Sequence, residues 1–374
     1  MRTNASRLRL GTAVALAAMV MACGGSTPTA EDGPQDTGGE PIDSSPGSDT
    51  GGTGTDTGGD TTPATDTGTP PTDSGPPTDA PADTPTTGGK IQTVFVIMME
   101  NHSWSDIKAN ASAPYINGTL LKAGAHAENY KTPPGNHPSE PNYIWLEAGD
   151  NLGITNDNDP SSNHKSVTDH FVSQLAGKGV TWKSYAEDID GSKCPLTATG
   201  QFAPRHTPQL FFDDVTDTNK ADSAKCIAHI RPYTEFVSDL TAGKVPQYNF
   251  VTPNLCDDMH GETFGTTCPS ITTDLVKKGD DWLKAQVPKI LDSAQYKAGG
   301  AIFIIWDEGS GTFTGSDGPV GMIVLSPFAK AGYSNSTAYT HSSALKTFET
   351  IFGVPFLRGA ATATDLSDMF TSYP

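Results

Sequence analysis

Apolar runs that stop abruptly at polar clusters dominate the second part of the chain. Ile91-Gln92-Thr93-Val94-Phe95-Val96-Ile97-Met98-Met99 is nearly continuous and rich in β-branched residues. That pattern predicts a strand buried on both faces of a parallel sheet rather than a half-exposed one, which would alternate. Ala301-Ile302-Phe303-Ile304-Ile305-Trp306 predicts a second such strand, and Gly321-Met322-Ile323-Val324-Leu325 a third. A further strand-like run, from Tyr248, leads into Pro253-Asn254-Leu255-Cys256-Asp257-Asp258-Met259-His260. Helical spacing follows Asn136-His137-Pro138-Ser139-Glu140-Pro141, where Pro141 suits an early helical position because its missing N–H would have no partner there. Leu345, Phe348, Ile351 and Phe352 share a face of a second helix, with Gly353 as its stop. His341 is expected just before that helix, exposed at its mouth.

The N-terminal quarter has a different pattern. Arg2, Arg7 and Arg9 precede an apolar stretch, Leu10 to Met21, that is short for a membrane span and ends in Val20-Met21-Ala22-Cys23. Residues 1–22 are therefore expected to be an export signal. The ending resembles that of a bacterial lipoprotein, with Cys23 as the acylated first residue of the mature chain; a plain secretory signal is the alternative. The protein is then an exported lipoprotein of the bacterial cell envelope, at the outer membrane or cell surface, held to the membrane through Cys23. Residues 24–90 are almost entirely Gly, Pro, Thr, Ser, Ala and Asp, with twelve acidic residues and one base. So few large apolar side chains cannot offset the entropy of ordering, and residues 23–90 read as a disordered acidic tether.

Residues 91–374 are long enough for one large α/β domain. Their formal charge is about −11 of the −19 of the whole chain, and no basic cluster is present, which argues against a nucleic-acid groove. Four cysteines remain after Cys23. In an exported chain an even number suggests two disulfides; Cys194–Cys226 with Cys256–Cys268 is the simplest of three pairings.

The strand ends carry the candidate chemistry. In open α/β sheets ligands bind beyond the C-terminal ends of the strands. Glu100-Asn101 and Asp307-Glu308 follow two of them, and such hard oxygen donors suit a divalent metal. Adjacent carboxylates repel each other unless a cation or proton lies between them. Ser139 stands at or just before a helix N-terminus, where the dipole favours a phosphate. It is either an ordinary cap or a nucleophile. Asp257 or Asp258 with His260 could share a metal or position a general acid.

Glu100-Asn101-His102-Ser103-Trp104, His137-Pro138-Ser139-x-Pro141-Asn142-Tyr143, Pro253-Asn254-x-Cys256-x-Asp258-Met259-His260, Trp306-Asp307-Glu308-Gly309 and His341-Ser342-Ser343 occur in this order. Together they resemble the phosphoesterase family of bacterial and fungal acid phosphatases and phosphatidylcholine-type phospholipases C. The resemblance implies an alkaline-phosphatase-like three-layer α/β sandwich with a mostly parallel central sheet. It implies metal-dependent hydrolysis of phosphate esters, most simply of monoesters, with a phospholipase C-type diesterase as the alternative. A catalytically silent surface binding protein is a third possibility. By this resemblance Glu100, Asn101, Ser139, Asp307 and Glu308 hold one divalent metal ion of unknown identity, and Ser139 is the nucleophile. His137, His206, His260 and His341 stand near the phosphate, with His260 or His341 protonating the leaving group. The substrate is a small phosphate ester or a lipid headgroup. Two departures stand out. Glu140 replaces a commonly apolar residue, so its charge must either turn from the pocket or weaken the binding of dianions. The Asn- and Asp-rich loop Asp150 to His164 is expected to be particular to this chain. For the anchor, the full chain should incorporate a labelled fatty acid in cells and a Cys23→Ala variant should not; equal labelling of both would refute acylation at Cys23.

Overall fold

A computed structural model describes residues 90–261, 268, 274–310 and 318–373. The segments expected to be a signal and a tether, except Lys90, lie outside the described residues. Among the described residues there are ten strands: β1 (Thr93–Met99), β2 (Ala125–Ala127), β3 (Tyr130–Lys131), β4 (Trp182–Ala186), β5 (Ile230–Pro232), β6 (Tyr248–Thr252), β7 (Gly300–Trp306), β8 (Met322–Leu325), β9 (Tyr333–Asn335) and β10 (Tyr339–Thr340). The helices that matter to the site and its support are α1 (Ser139–Ala148), α2 (Phe171–Gly177), α3 (Tyr233–Ala242), α4 (Leu275–Leu291) and α5 (His341–Phe352).

Eight strands form one sheet in the order β5-β4-β6-β1-β7-β8-β2-β9, and β3 pairs with β10 alone. The run β5-β4-β6-β1-β7 is parallel throughout. β8 is antiparallel to both neighbours, β7 and β2, whereas β9 is parallel to β2. The sheet is therefore mostly parallel, as expected, with a single reversed strand. Every residue of β1 and β7 is buried, which explains why neither alternates in sequence.

The register assigns the side chains to layers. Tyr248 is paired with Val94, and Val96 with Phe303, so Tyr248 and Phe303 share a face. Both meet Phe348 of α5, at 6.1 and 4.9 Å between ring centroids, and Phe171 of α2 packs edge-on to Tyr248 at 5.0 Å. Phe95 points to the opposite face and meets Phe236 of α3 at 6.1 Å. Tyr233 of α3 continues that layer to Trp282 of α4. Fully burying each such ring contributes on the order of 1.5–3 kcal/mol. The bonds Cys194–Cys226 and Cys256–Cys268 are formed, which is the simplest pairing. Among the described residues no helix is long and apolar enough to cross a membrane.

Gly353 ends α5 with φ 63°, as expected, but the start of that helix differs from expectation. His341 is its first residue and is fully buried, not exposed at a mouth. The polar sequence Tyr339-Thr340-His341 suggested solvent, whereas Tyr339 and Thr340 pair with β3 and draw the imidazole inward.

Glu349 of α5 is also buried. Its Oε1 accepts from the Leu357 backbone N–H at 2.7 Å and its Oε2 has no partner. Burial pushes its pKa from 4.5 up to about 8. Its contribution to stability is complete below the unfolded value of 4.5 and is lost as pH rises through about 8, because folding must then bury a charge. A Glu349→Gln variant keeps the acceptor without the charge. Denaturant titrations at pH 4.5 and pH 8.5 should show the parent losing about 2–3 kcal/mol more than the variant. Equal losses would show that Glu349 does not carry this pH dependence.

Candidate active site

The site begins where β1 and β7 end. Met99 pairs with Trp306, so Glu100 and Asp307 leave the sheet side by side. The Asp307 N–H donates to the Met99 carbonyl at 3.0 Å and the Asn101 N–H donates to Asp307 Oδ1 at 3.1 Å. Asn101 turns through φ 40° to do this, a left-handed conformation that Asn tolerates better than most residues. β6, on the other side of β1, runs into the loop carrying Asp258, whose carbonyl accepts from the Glu100 N–H at 2.8 Å.

Ser139 is the first residue of α1 and is buried. Its Oγ–H donates to Glu100 Oε2 at 3.0 Å, with Asn101 Oδ1 at 3.4 Å. Helical periodicity brings two more side chains of α1 to the same side. Asn142 Nδ2 donates to Glu308 Oε2 at 3.1 Å. Tyr143 stacks on the His206 ring at 5.0 Å and its hydroxyl bonds to Glu100. The helix N-terminus itself offers an anion less than its sequence suggested: the Glu140 N–H donates to Asp157 Oδ1, and Pro141 has none.

Behind Ser139 the charges are crowded. His206 lies between Glu100 Oε1 and Asp258 Oδ2, 3.2 Å from each. Neither Glu100 Oε1, Asp258 Oδ2 nor His206 Nε2 has an aligned hydrogen bond, and Asp307 Oδ2 also lacks one. Burial, then repulsion from Asp307 and Asp258, holds the Glu100 carboxyl well above its usual range. Burial likewise raises Asp258, and pushes Asp307 up to about 7. His206 is held well below its ordinary value by burial, then by the nearby Arg205 and His260, so it stays neutral.

The unpartnered oxygens of Glu100 and Asp307, with the Asn101 and Ser139 oxygens close by, fit a divalent cation held by Glu100, Asn101, Asp307 and the Ser139 oxygen. The donor set is mixed: among the described residues no three His, Cys, Asp or Glu side chains form a cage by themselves. Glu308, expected in this set, engages His137 instead, with Oε2 2.7 Å from His137 Nδ1. His260 is half-buried, its Nε2 3.3 Å from Arg205 Nη2 and its ring 5.8 Å from that of His206. Asp257, adjacent to Asp258, turns toward Lys278 and Glu187. His341 is engaged on both nitrogens, by the Tyr130 hydroxyl at 3.0 Å and the Asp307 carbonyl at 2.7 Å. Held from both sides, it supports the Asp307 turn and is not open to a leaving group. Burial also lowers its pKa, to about 4.

Two residues were missed from the sequence. Tyr143 lies four residues after Ser139 and could have been found by helical spacing. Arg205 precedes His206, but nothing local marked it as the cation of the site. Its charge bears on Glu100, Asp258, His206 and His260.

Comparison with known proteins agrees with this geometry. A phosphatidylinositol-3-phosphatase of Mycobacterium tuberculosis is 26% identical over 278 residues, covering 74% of this chain and 82% of that protein. A phosphate-repressible acid phosphatase of Penicillium chrysogenum is 28% identical over 247 residues, 64% of this chain. The chain spans about half the length of that fungal relative, 54%. A protein of the alkaline phosphatase superfamily from Vibrio parahaemolyticus shares the fold with a TM-score of 0.50 at 10% identity, over 75% of this chain and 72% of that one. The model of the Phosphoesterase family matches residues 119–355, from before Ser139 to the end of α5, and the chain belongs to that family.

Proposed function

We propose that this phosphoric ester hydrolase acts on phosphomonoesters through Ser139 as a covalent nucleophile, with one divalent cation per chain. The Ser139 Oγ–H directed at Glu100 Oε2, within a buried cluster of unpartnered acceptors, carries the proposal. A cation held by Glu100, Asn101, Asp307 and the Ser139 oxygen would supply Lewis-acid stabilisation of the serine alkoxide and a phosphoryl oxygen.

The side chains account for the rest. Glu100 Oε2 is the acceptor already in place for the serine proton. Ser139 Oγ attacks phosphorus in line, forming the new P–O bond as the ester oxygen departs. His260, half-buried beside Arg205, has its Nε2 facing the guanidinium and its pKa lowered to about 4 by burial, so it is neutral and relays to that oxygen a proton drawn from water. Arg205 offsets charge on the phosphoryl oxygens. His206, neutral and stacked on Tyr143, spaces Glu100 from Asp258. His137 and Asn142 hold Glu308 against the first turn of α1. The hydroxide left from that water then cleaves the phosphoserine P–O bond, and Glu100 returns the proton to Ser139 Oγ.

The Mycobacterium relative, named for a phosphomonoester on a lipid headgroup, supports including such headgroups among the substrates. The anchor at Cys23 and an envelope location belong to the same proposal, since they would hold the enzyme beside a membrane.

Chromogenic phosphomonoester and phosphodiester substrates, assayed side by side with and without chelator on the full chain, test the class of reaction. Chelator-sensitive monoester turnover is expected; preference for the diester would move the activity to the phospholipase C type. Ser139→Ala should lose at least about a hundredfold in kcat. Near-normal turnover in that variant would end the covalent scheme. Arg205→Ala should lose about tenfold or more in kcat/KM, and Arg205→Lys less. An unchanged kcat/KM in Arg205→Ala would remove it from phosphate recognition.

A further inference from the structure

Glu140 follows the nucleophile directly, yet its side chain takes no part in the active centre. It is fully buried and turns into the Asn- and Asp-rich loop instead. There its Oε1 accepts from Asn163 Nδ2 at 2.9 Å, while its Oε2 is buried without any partner. The same Asn163 nitrogen lies 2.9 Å from Asn156 Oδ1, 3.4 Å from the Asn156 carbonyl and 3.3 Å from the Asn158 carbonyl. Four oxygens thus converge on one amide nitrogen that has two hydrogens to give. An arrangement with more lone pairs than donors, and a buried carboxylate oxygen left over, is poorly satisfied by an amide.

We propose that Glu140, Asn156, Asn158 and Asn163 form a second site for a hard divalent cation of the calcium type, separate from the active centre. Turning the Asn163 amide about Cβ–Cγ exchanges its nitrogen for its oxygen. The donors are then both oxygens of Glu140, the side-chain and backbone oxygens of Asn156, the carbonyl of Asn158 and Asn163 Oδ1. Six oxygens meet the lower coordination number of calcium, and none is a nitrogen or sulfur ligand that would favour a softer metal. With one carboxylate among neutral donors, the dissociation constant should be on the order of 0.1–1 mM. The neighbouring Asp157 is spent elsewhere: its Oδ1 accepts from the Glu140 N–H and its Oδ2 lies 3.7 Å from Arg205 Nε. The ion would therefore tie the loop to α1 one residue from Ser139 and so fix the helix that carries the nucleophile. The two sites are kept apart because the Ser139 hydroxyl bonds to Glu100 whereas the Glu140 carboxylate bonds to Asn163.

The test uses the full chain after chelation, with calcium alone as the probe. In a Glu100→Gln/Asp307→Asn background, which removes the charged donors of the active centre, equilibrium dialysis should still find one equivalent of bound calcium. Calcium at ten times the dissociation constant should raise Tm by about 3–5 °C. Adding Glu140→Gln should abolish both effects. Asn156→Ala, a change at an exposed position that threatens folding least, should weaken binding at least tenfold. Calcium binding that disappears in the active-centre background, or that survives Glu140→Gln and Asn156→Ala, would overturn the proposal. So would the absence of a Tm shift in the parent. Since the readouts are binding and stability, they stand or fall apart from phosphatase activity.

Discussion

Three carboxyl groups, Glu100, Asp258 and Asp307, are buried together, two of them against the neutral His206 imidazole, and much of the domain is organised to keep them there. Like charges in a medium of low dielectric repel strongly, and an open or flexible site would relieve the repulsion by spreading. Here it cannot spread. Glu100 and Asp307 are fixed by a seven-residue ladder between β1 and β7, and Asp258 by the hydrogen bond from the Glu100 amide to its carbonyl. A strained electrostatic arrangement held by a stiff sheet is the usual signature of a functional centre rather than of a structural core.

Helix α1 mediates between this centre and its surroundings. Ser139, Asn142 and Tyr143 lie along one side of it and reach Glu100, Glu308 and His206 in turn. Glu140, the residue after Ser139, reaches the loop around Asn163 instead. One residue step therefore divides chemistry from support, and the orientation of the nucleophile depends on contacts at both sides.

The parts of the fold visible in the sequence were those with local causes. β1 and β7 were legible because burial on both faces writes itself as an unbroken apolar run, and Glu100 and Asp307 because they interrupt it. Ser139 was legible through the prolines around it. The reversed direction of β8 was not, since Met322 to Leu325 has the same composition whichever way it pairs. His341 was placed in solvent because its pull inward comes from the pairing of Tyr339 and Thr340 with β3, over 200 residues away. Arg205 was overlooked for the same reason: its partners, Asp157 and His260, lie on separate loops. Glu308 next to Asp307 suggested a ligand pair, and what the sequence did not mark is that its carboxylate meets His137 and Asn142.

The ladder between β1 and β7 also sets an order of events. Asn101 and Asp307 are 206 residues apart, and the entropy of closing so long a loop must be met before either gains its contact. A chain that has not yet delivered Gly300 to Trp306 has Ser139 and Glu100 but lacks Asp307 beside them. The site is thus completed only by contact between parts of the chain 206 residues apart, and a chain cut before β7 lacks one of its buried acids.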